Sequence, residues 1–219
     1  MSFFKLPESC VVNRVVPKNA FDRYTNSKLK KDFSSQIQRI VWTHKLAPES
    51  LNLPAGVIKE IQVFRISLKG RFEVNAVLEV INKAIPYPIV FWVENEGDVY
   101  LSSALKHPHP AKPDEAVVDW VFQSDWFNVS KLKPSIELTG NLDTVYLNIC
   151  QQISGYRSTA VSSISELAEL ERQIAHLERQ IKKLRAITTS SKPFRQKAEA
   201  NVKLKSLENQ LRELKRVKD

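Results

Sequence analysis

Leu167, Leu170, Ile174, Leu177, Ile181 and Leu184 step by three, four, three, four and three residues, an unbroken series of heptad a and d positions held by Leu or Ile alone. A chain with such a seam has to bury it against another helix. Leu204, Leu207, Leu211 and Leu214 repeat the spacing, and Ala200 and Lys218 extend its register at the two ends. Thr188 to Lys192 interrupts the runs, and Pro193, with Ser190 or Ser191 before it, reads as a fresh helix start. The spacing therefore predicts an antiparallel helical hairpin, a coiled coil over 166–217, with arms about 35 Å long at 1.5 Å per residue. Positions flanking the seam are almost wholly charged or polar, which disfavours ordinary packing on a core. Two helices alone bury little, so the seam is also expected to self-associate or dock another subunit. Leu170, Leu177, Leu184, Leu207, Leu211 and Leu214 are the candidate partner-binding residues, with Leu177 and Leu211 expected to be buried across the seam.

Ahead of the hairpin the pattern changes. Residues 154–165 hold five serines and one glycine, which predicts a Ser-rich linker over 156–165 and a preceding domain over 1–155. Within that domain Pro17 opens a short helix. Leu29, Phe33, Ile37, Ile40 and Val41 form the stripe of a longer one, capped by Asn26 or Ser27 and leading into Trp42. Glu60 to Lys69 reads as a strand, with Gln62, Phe64, Ile66 and Leu68 on one face. Val74 to Ile85 has helical spacing and stops at Pro86-Tyr87-Pro88. Ile89 to Val93 and Val99 to Leu105 form a hairpin around Gly97, His107 to Pro113 is a stiff loop, and Val117 to Phe122 is a further strand. Asn141 caps a last helix through Leu142, Val145, Ile149 and Ile153. One strand–helix–strand crossover followed by a meander implies an α+β fold, a mixed sheet with packed helices.

Charge is distributed unevenly. Residues 1–45 hold 9 basic and 3 acidic residues, 46–159 hold 10 and 13, and 160–219 hold 14 and 8. Two basic ends around a mildly acidic middle suggest polyanion contact. Lys28, Lys30, Lys31, Arg39 and Lys45 lie on or just after the helix that precedes Trp42, where ammonium groups can meet phosphates while an indole stacks on a base. These residues, with Trp42, are the candidate nucleic-acid contacts, for DNA or RNA.

Catalytic chemistry has little support. Walker A, G-x-G-x-x-G, G-x-S-x-G and H-E-x-x-H motifs are all absent from the sequence. The only Glu-x-Lys, Glu213-Leu214-Lys215, lies in the coiled coil. Glu60 and Lys69 are too far apart on one strand to share a metal, about 30 Å if extended. A divergent metal-dependent nuclease would need Glu60, Asp119 and Asp125 to converge in the fold. His107 and His109 have no third ligand nearby and read as a solvated turn. Cys10 and Cys150 read as buried thiols rather than a disulfide or zinc pair. No catalytic residue, metal ligand or cofactor site is assigned. The start of the sequence has no secretory pattern and no apolar run approaches a membrane span, so a cytoplasmic protein without membrane contact is expected.

Leu6-Pro7, Val16-Pro17-Lys18, Trp42, Lys45-Leu46-Ala47-Pro48, Glu60-Ile61-Gln62-Val63-Phe64, Ile85-Pro86-Tyr87-Pro88 and Ser124-Asp125-Trp126 occur in order. Together they make roughly residues 4–155 resemble the bacterial domain-of-unknown-function 4391 family. The resemblance carries no activity. It implies a genetic setting beside helicases and DNA methyltransferases in restriction or phage-defence clusters, and hence a helicase or methyltransferase subunit as partner. The expected role is a non-enzymatic accessory subunit of such a DNA-directed complex.

Overall fold

A strand buried on both faces is read as a continuous apolar run, and one such run, Ile89 to Val93, lies at the centre of this protein. A computed structural model describes residues 4, 6–130, 135–156, 161–189 and 193–216. The chain divides into two compact units, Met1–Ser154 and Gly155–Asp219. In the first unit, by chain order, the strands are β1 (Val11–Val15), β2 (Ile37–Leu46), β3 (Ile61–Leu68), β4 (Ile89–Asn95), β5 (Asp98–His109), β6 (Lys112–Gln123) and β7 (Phe127–Asn128). Its α-helices are α1 (Ser27–Gln36), α2 (Pro48–Leu51), α3 (Asn75–Ala84) and α4 (Leu142–Ile153), and Lys18–Tyr24 after Pro17 is a 3-10 helix.

The strands form one seven-stranded mixed sheet in the order β1-β2-β3-β4-β5-β6, with β7 pairing the start of β5. Only β3 and β4 run parallel, joined by α3. Ile61, Val63, Phe64 and Ile66 of β3 and Ile89 to Val93 of β4 are all buried, so both faces of the central pair are covered rather than the single face of β3 anticipated from its alternation. On one face Phe21, Phe33, Ile40, Phe64, Ile66 and Phe91 pack with the inner side of α3. On the other, the hydroxyl of Tyr146 from α4 meets Ser103 Oγ at 2.7 Å and donates to the Ala104 carbonyl at 2.7 Å.

Caps and turns follow local chemistry. Asn26 caps α1 by accepting the Leu29 N–H at 2.9 Å, and Asn141 caps α4 through the Thr144 N–H at 2.9 Å. The β4–β5 turn places Glu96 at φ 49° and Gly97 at φ 88°, the left-handed pair that a tight hairpin needs. Gly56 has a different role. A Cβ there would lie 2.0 Å from an Asp143 carboxylate oxygen, and that carboxylate accepts the Val57 and Ile58 N–H groups at 2.9 and 2.7 Å. The loop before β3 is thus fastened to the first turn of α4.

Two expectations are corrected, and one strand has no counterpart among them. The stripe through Ile37, Ile40 and Val41 is not helical, because α1 stops at Gln36 and the chain continues as β2, paired along its length with β3. β-branched residues offered a full ladder partner leave the helix, and Arg39, Trp42 and Lys45 move to the sheet with them. His107 to His109 continue β5 instead of forming a loop, and Pro108 is accommodated at a register shift. β1 was not anticipated. It is a short edge strand, kinked at Asn13 with φ 49°, and most of its side chains are exposed.

The second unit consists of α5 (Ile164–Thr189) and α6 (Phe194–Lys215), which pack together. Arg185 pairs with Glu208 and Glu178 with Lys215, each at 2.7 Å, so residue numbers rise on one arm as they fall on the other and the helices are antiparallel. Ser163 Oγ accepts the Glu166 N–H, while the Glu166 carboxylate reaches back to the Ser162 N–H and hydroxyl. That reciprocal arrangement starts α5. Ser190, Ser191 and Lys218 lie outside the described residues.

Candidate functional site

The basic segment of the first unit is built on α1. Leu29 and Phe33 turn inward, where Phe33 stacks on Phe21 at 5.8 Å, and Lys28, Lys30 and Lys31 are left on the exposed side. Lys30 is paired with Asp22 at 3.0 Å. Lys28, Lys31 and Arg39 are exposed and have no ion pair among the described residues. Two further cations gather where α1 ends. Lys69 Nζ donates to the Ser34 carbonyl at 2.8 Å, and Lys18 Nζ donates to the Ile37 carbonyl at 2.5 Å, satisfying oxygens at the negative end of the helix. Burial, and then the charge of Lys69, push the Lys18 amine below its ordinary range. Sequence reading missed this pair because 51 residues separate them and only the sheet brings them together.

The other two residues of the predicted contact are differently occupied. Trp42 is half-buried, with its ring parallel to that of Phe64 at 6.3 Å, and its indole N–H donates to the His44 carbonyl at 2.9 Å. Lys45 bridges Glu60 at 3.1 Å and Glu49 at 3.3 Å, and those hydrogen bonds raise its pKa. Along β2 it is about 20 Å from Arg39. The six residues named from sequence therefore divide into an exposed basic group on and just after α1 and an inward-facing or paired group farther along the strand.

Glu60, Asp119 and Asp125 occupy separate places. Glu60 precedes β3 and also accepts Gln62 Nε2 at 2.6 Å. Asp119 lies on β6, three strands across the sheet from β3, about 14 Å at the usual strand spacing, and meets His107 Nδ1 at 2.8 Å. Asp125 is exposed beyond the end of β6. Among the described residues no group of three or more His, Cys, Asp and Glu is placed to hold a metal ion. A polar cluster does form at the ends of β3 and β4. The Glu94 carboxylate accepts the Ser67 hydroxyl at 2.7 Å and the Trp92 N–H at 3.2 Å, with Arg65 Nε 3.7 Å away. Arg39 stands opposite Ser67 in the neighbouring strand. Members 27 residues apart in sequence gave no signal of this.

In the hairpin the two halves of the seam differ. Leu167, Ile174 and Ile181 are buried. Leu170, Leu177 and Leu184, the alternate heptad position, are only half-buried, as are Leu204, Leu207, Leu211 and Leu214. Leu177 and Leu211 are thus less enclosed than anticipated, because one facing helix cannot surround a knob that a larger bundle would. Leu184 and Leu207 floor a groove of about 370 Å³ that Gln180, Lys183, Lys203 and Ser206 complete.

Among the described residues no helix is long and apolar enough to cross a membrane. No curated protein and no solved structure matches this chain. A family model does, over residues 4–211, so the match continues past the motifs of residues 4–155 and takes in the hairpin. With nearly the whole chain covered, the protein belongs to the family described as Domain of unknown function (DUF4391).

Proposed function

We propose that this protein is a non-enzymatic accessory subunit of a DNA-directed defence or restriction-type complex, in the company of a helicase or methyltransferase. The exposed cations of α1 contact nucleic acid and the hairpin docks a partner. The observation that carries the reading is the half-buried leucine stripe of a hairpin whose outer positions are charged, an apolar surface left incomplete by its own two helices. Support for the nucleic-acid half comes from Lys28, Lys31 and Arg39, which have no carboxylate partner among the described residues, with Lys18 and Lys69 adding positive potential beside them. Lys45 and Trp42 belong to the sheet's own structure in this reading.

Truncation after Ser163, with the remaining chain tested for association with proteins encoded beside it, decides the docking half. Loss of association with retention of a cooperative melt is the expected result; undiminished association would refute it. For the nucleic-acid half, fluorescence polarisation with duplex and single-stranded probes across a salt series is the test. Each phosphate contact removed lowers the slope of log affinity against log salt by about one unit. A flat titration near physiological salt would remove nucleic-acid contact from the account.

A further inference from the structure

Leucine recurs at positions 170, 177 and 184 of α5, every seventh residue, while the residue before it changes from Glu169 to His176 to Lys183. All three of those preceding side chains are exposed. The stripe therefore has a constant apolar centre and a charge that runs from negative to positive along one flank. Lys183 and Lys203 form the two cationic rims of the groove over Leu184 and Leu207, and neither has an ion pair among the described residues. Glu169 meets only residues of its own helix among those described, Arg172 at 3.4 Å and the Gln173 amide at 3.2 Å. What fits this groove is a leucine-bearing helix with an acidic flank, and the first half of α5 is such a helix.

We propose that two copies of this chain pair through α5, antiparallel and centred on Leu177, to complete a four-helix bundle. This specifies the partner of the hairpin and rests on the docking reading above. A two-fold axis through the contact sets Leu177 against Leu177 and Leu170 against Leu184 twice, with Glu169 beside Lys183 on the same flank each time. A parallel two-fold pairing would put equivalent flanking residues on opposite sides of the seam and Glu169 about 21 Å along the axis from Lys183, so only the antiparallel arrangement joins these charges. The two native cysteines are buried in the first unit, which leaves introduced thiols on α5 as the only exposed ones among the described residues.

Single-cysteine variants of the full-length chain test the pairing under mild oxidation. Leu177→Cys is expected to cross-link to a covalent dimer. Leu170→Cys and Leu184→Cys are each expected to fail alone, because two-fold symmetry places each about 21 Å along the helix from its own copy, and to cross-link when mixed. In sedimentation of otherwise unmodified chains, Glu169→Lys and Lys183→Glu should each weaken dimerisation by about tenfold, and the double exchange should restore it. Cross-linking of Leu170→Cys with itself would overturn the antiparallel arrangement, and a double exchange no better than either single one would overturn the charge pairing. A monomeric wild-type chain would overturn the proposal outright, whether or not the hairpin docks a different protein, which the truncation at Ser163 decides separately.

Discussion

The central strand pair and the hairpin are both apolar, yet they are enclosed to different degrees. In β4 every residue from Ile89 to Val93 is at most 2% exposed, and β3 alternates nowhere between a wet and a dry face along Ile61 to Phe64. In α6 Ala200 is the only buried residue among those described, and its four seam leucines are half-buried. A sheet covered by helices on both faces leaves nothing for a partner to complete. In the hairpin Leu167, Ile174 and Ile181 are buried, while the alternate leucines keep one side uncovered. The proposed association is accordingly tested in the second unit, and the proposed nucleic-acid contact on the charged surface of the first.

That contrast is broken most severely from the core side. Phe64→Ala removes a fully buried ring packed against Trp42 and Phe91 and should cost about 3–5 kcal/mol, read as loss of the main unfolding transition in a denaturant melt. Asp143→Ala leaves the Val57 and Ile58 N–H groups without their acceptor and should cost about 1–3 kcal/mol. If it costs nothing, the loop is not held by that carboxylate. Leu211→Ala, half-buried in the hairpin, should cost about 1–2 kcal/mol, well below the core value. An effect as large as that of Phe64→Ala would mean the hairpin is as enclosed as the sheet.

A separate effect comes from pH. Lys106 donates from its buried amine to the Asn82 and Ile85 carbonyls at the end of α3, and burial lowers its pKa from 10.5 to about 7. Between those values the unfolded chain holds the extra proton, so stability rises as pH is raised through about 7 to 10.5 and is lost as pH falls back. Lys106→Met should flatten that part of the stability profile, and an unchanged slope would refute the assignment. The smallest effect on stability is expected from Lys28→Glu with Lys31→Glu, within about 0.5 kcal/mol each, since both are exposed and unpaired. Their effect should appear in the salt dependence of nucleic-acid binding instead.

Legibility followed range. The hairpin was readable because its heptads are local and its residues uniform, and the β3–α3–β4 crossover because apolar runs alternate with a helical stripe ended by Pro86 and Pro88. β2 was misread because Phe33, Ile37, Ile40 and Val41 satisfy a helical spacing equally well, and only the pairing with β3 decides between the two. β1 carried too short a pattern, interrupted at Asn13. Lys18 with Lys69, and Ser67 with Glu94, meet through the sheet register, which no single stretch of sequence encodes. The basic group itself was half legible, since composition located the cations of α1 but not that Lys45 is held between Glu49 and Glu60.

Sedimentation velocity of the full chain alongside residues 1–163, at matched concentration, tests the central contrast most directly. The account predicts that the full chain sediments as a dimer while the shorter chain is a folded monomer with a cooperative melt. A shorter chain that remains dimeric, or one that loses its cooperative transition, would contradict it.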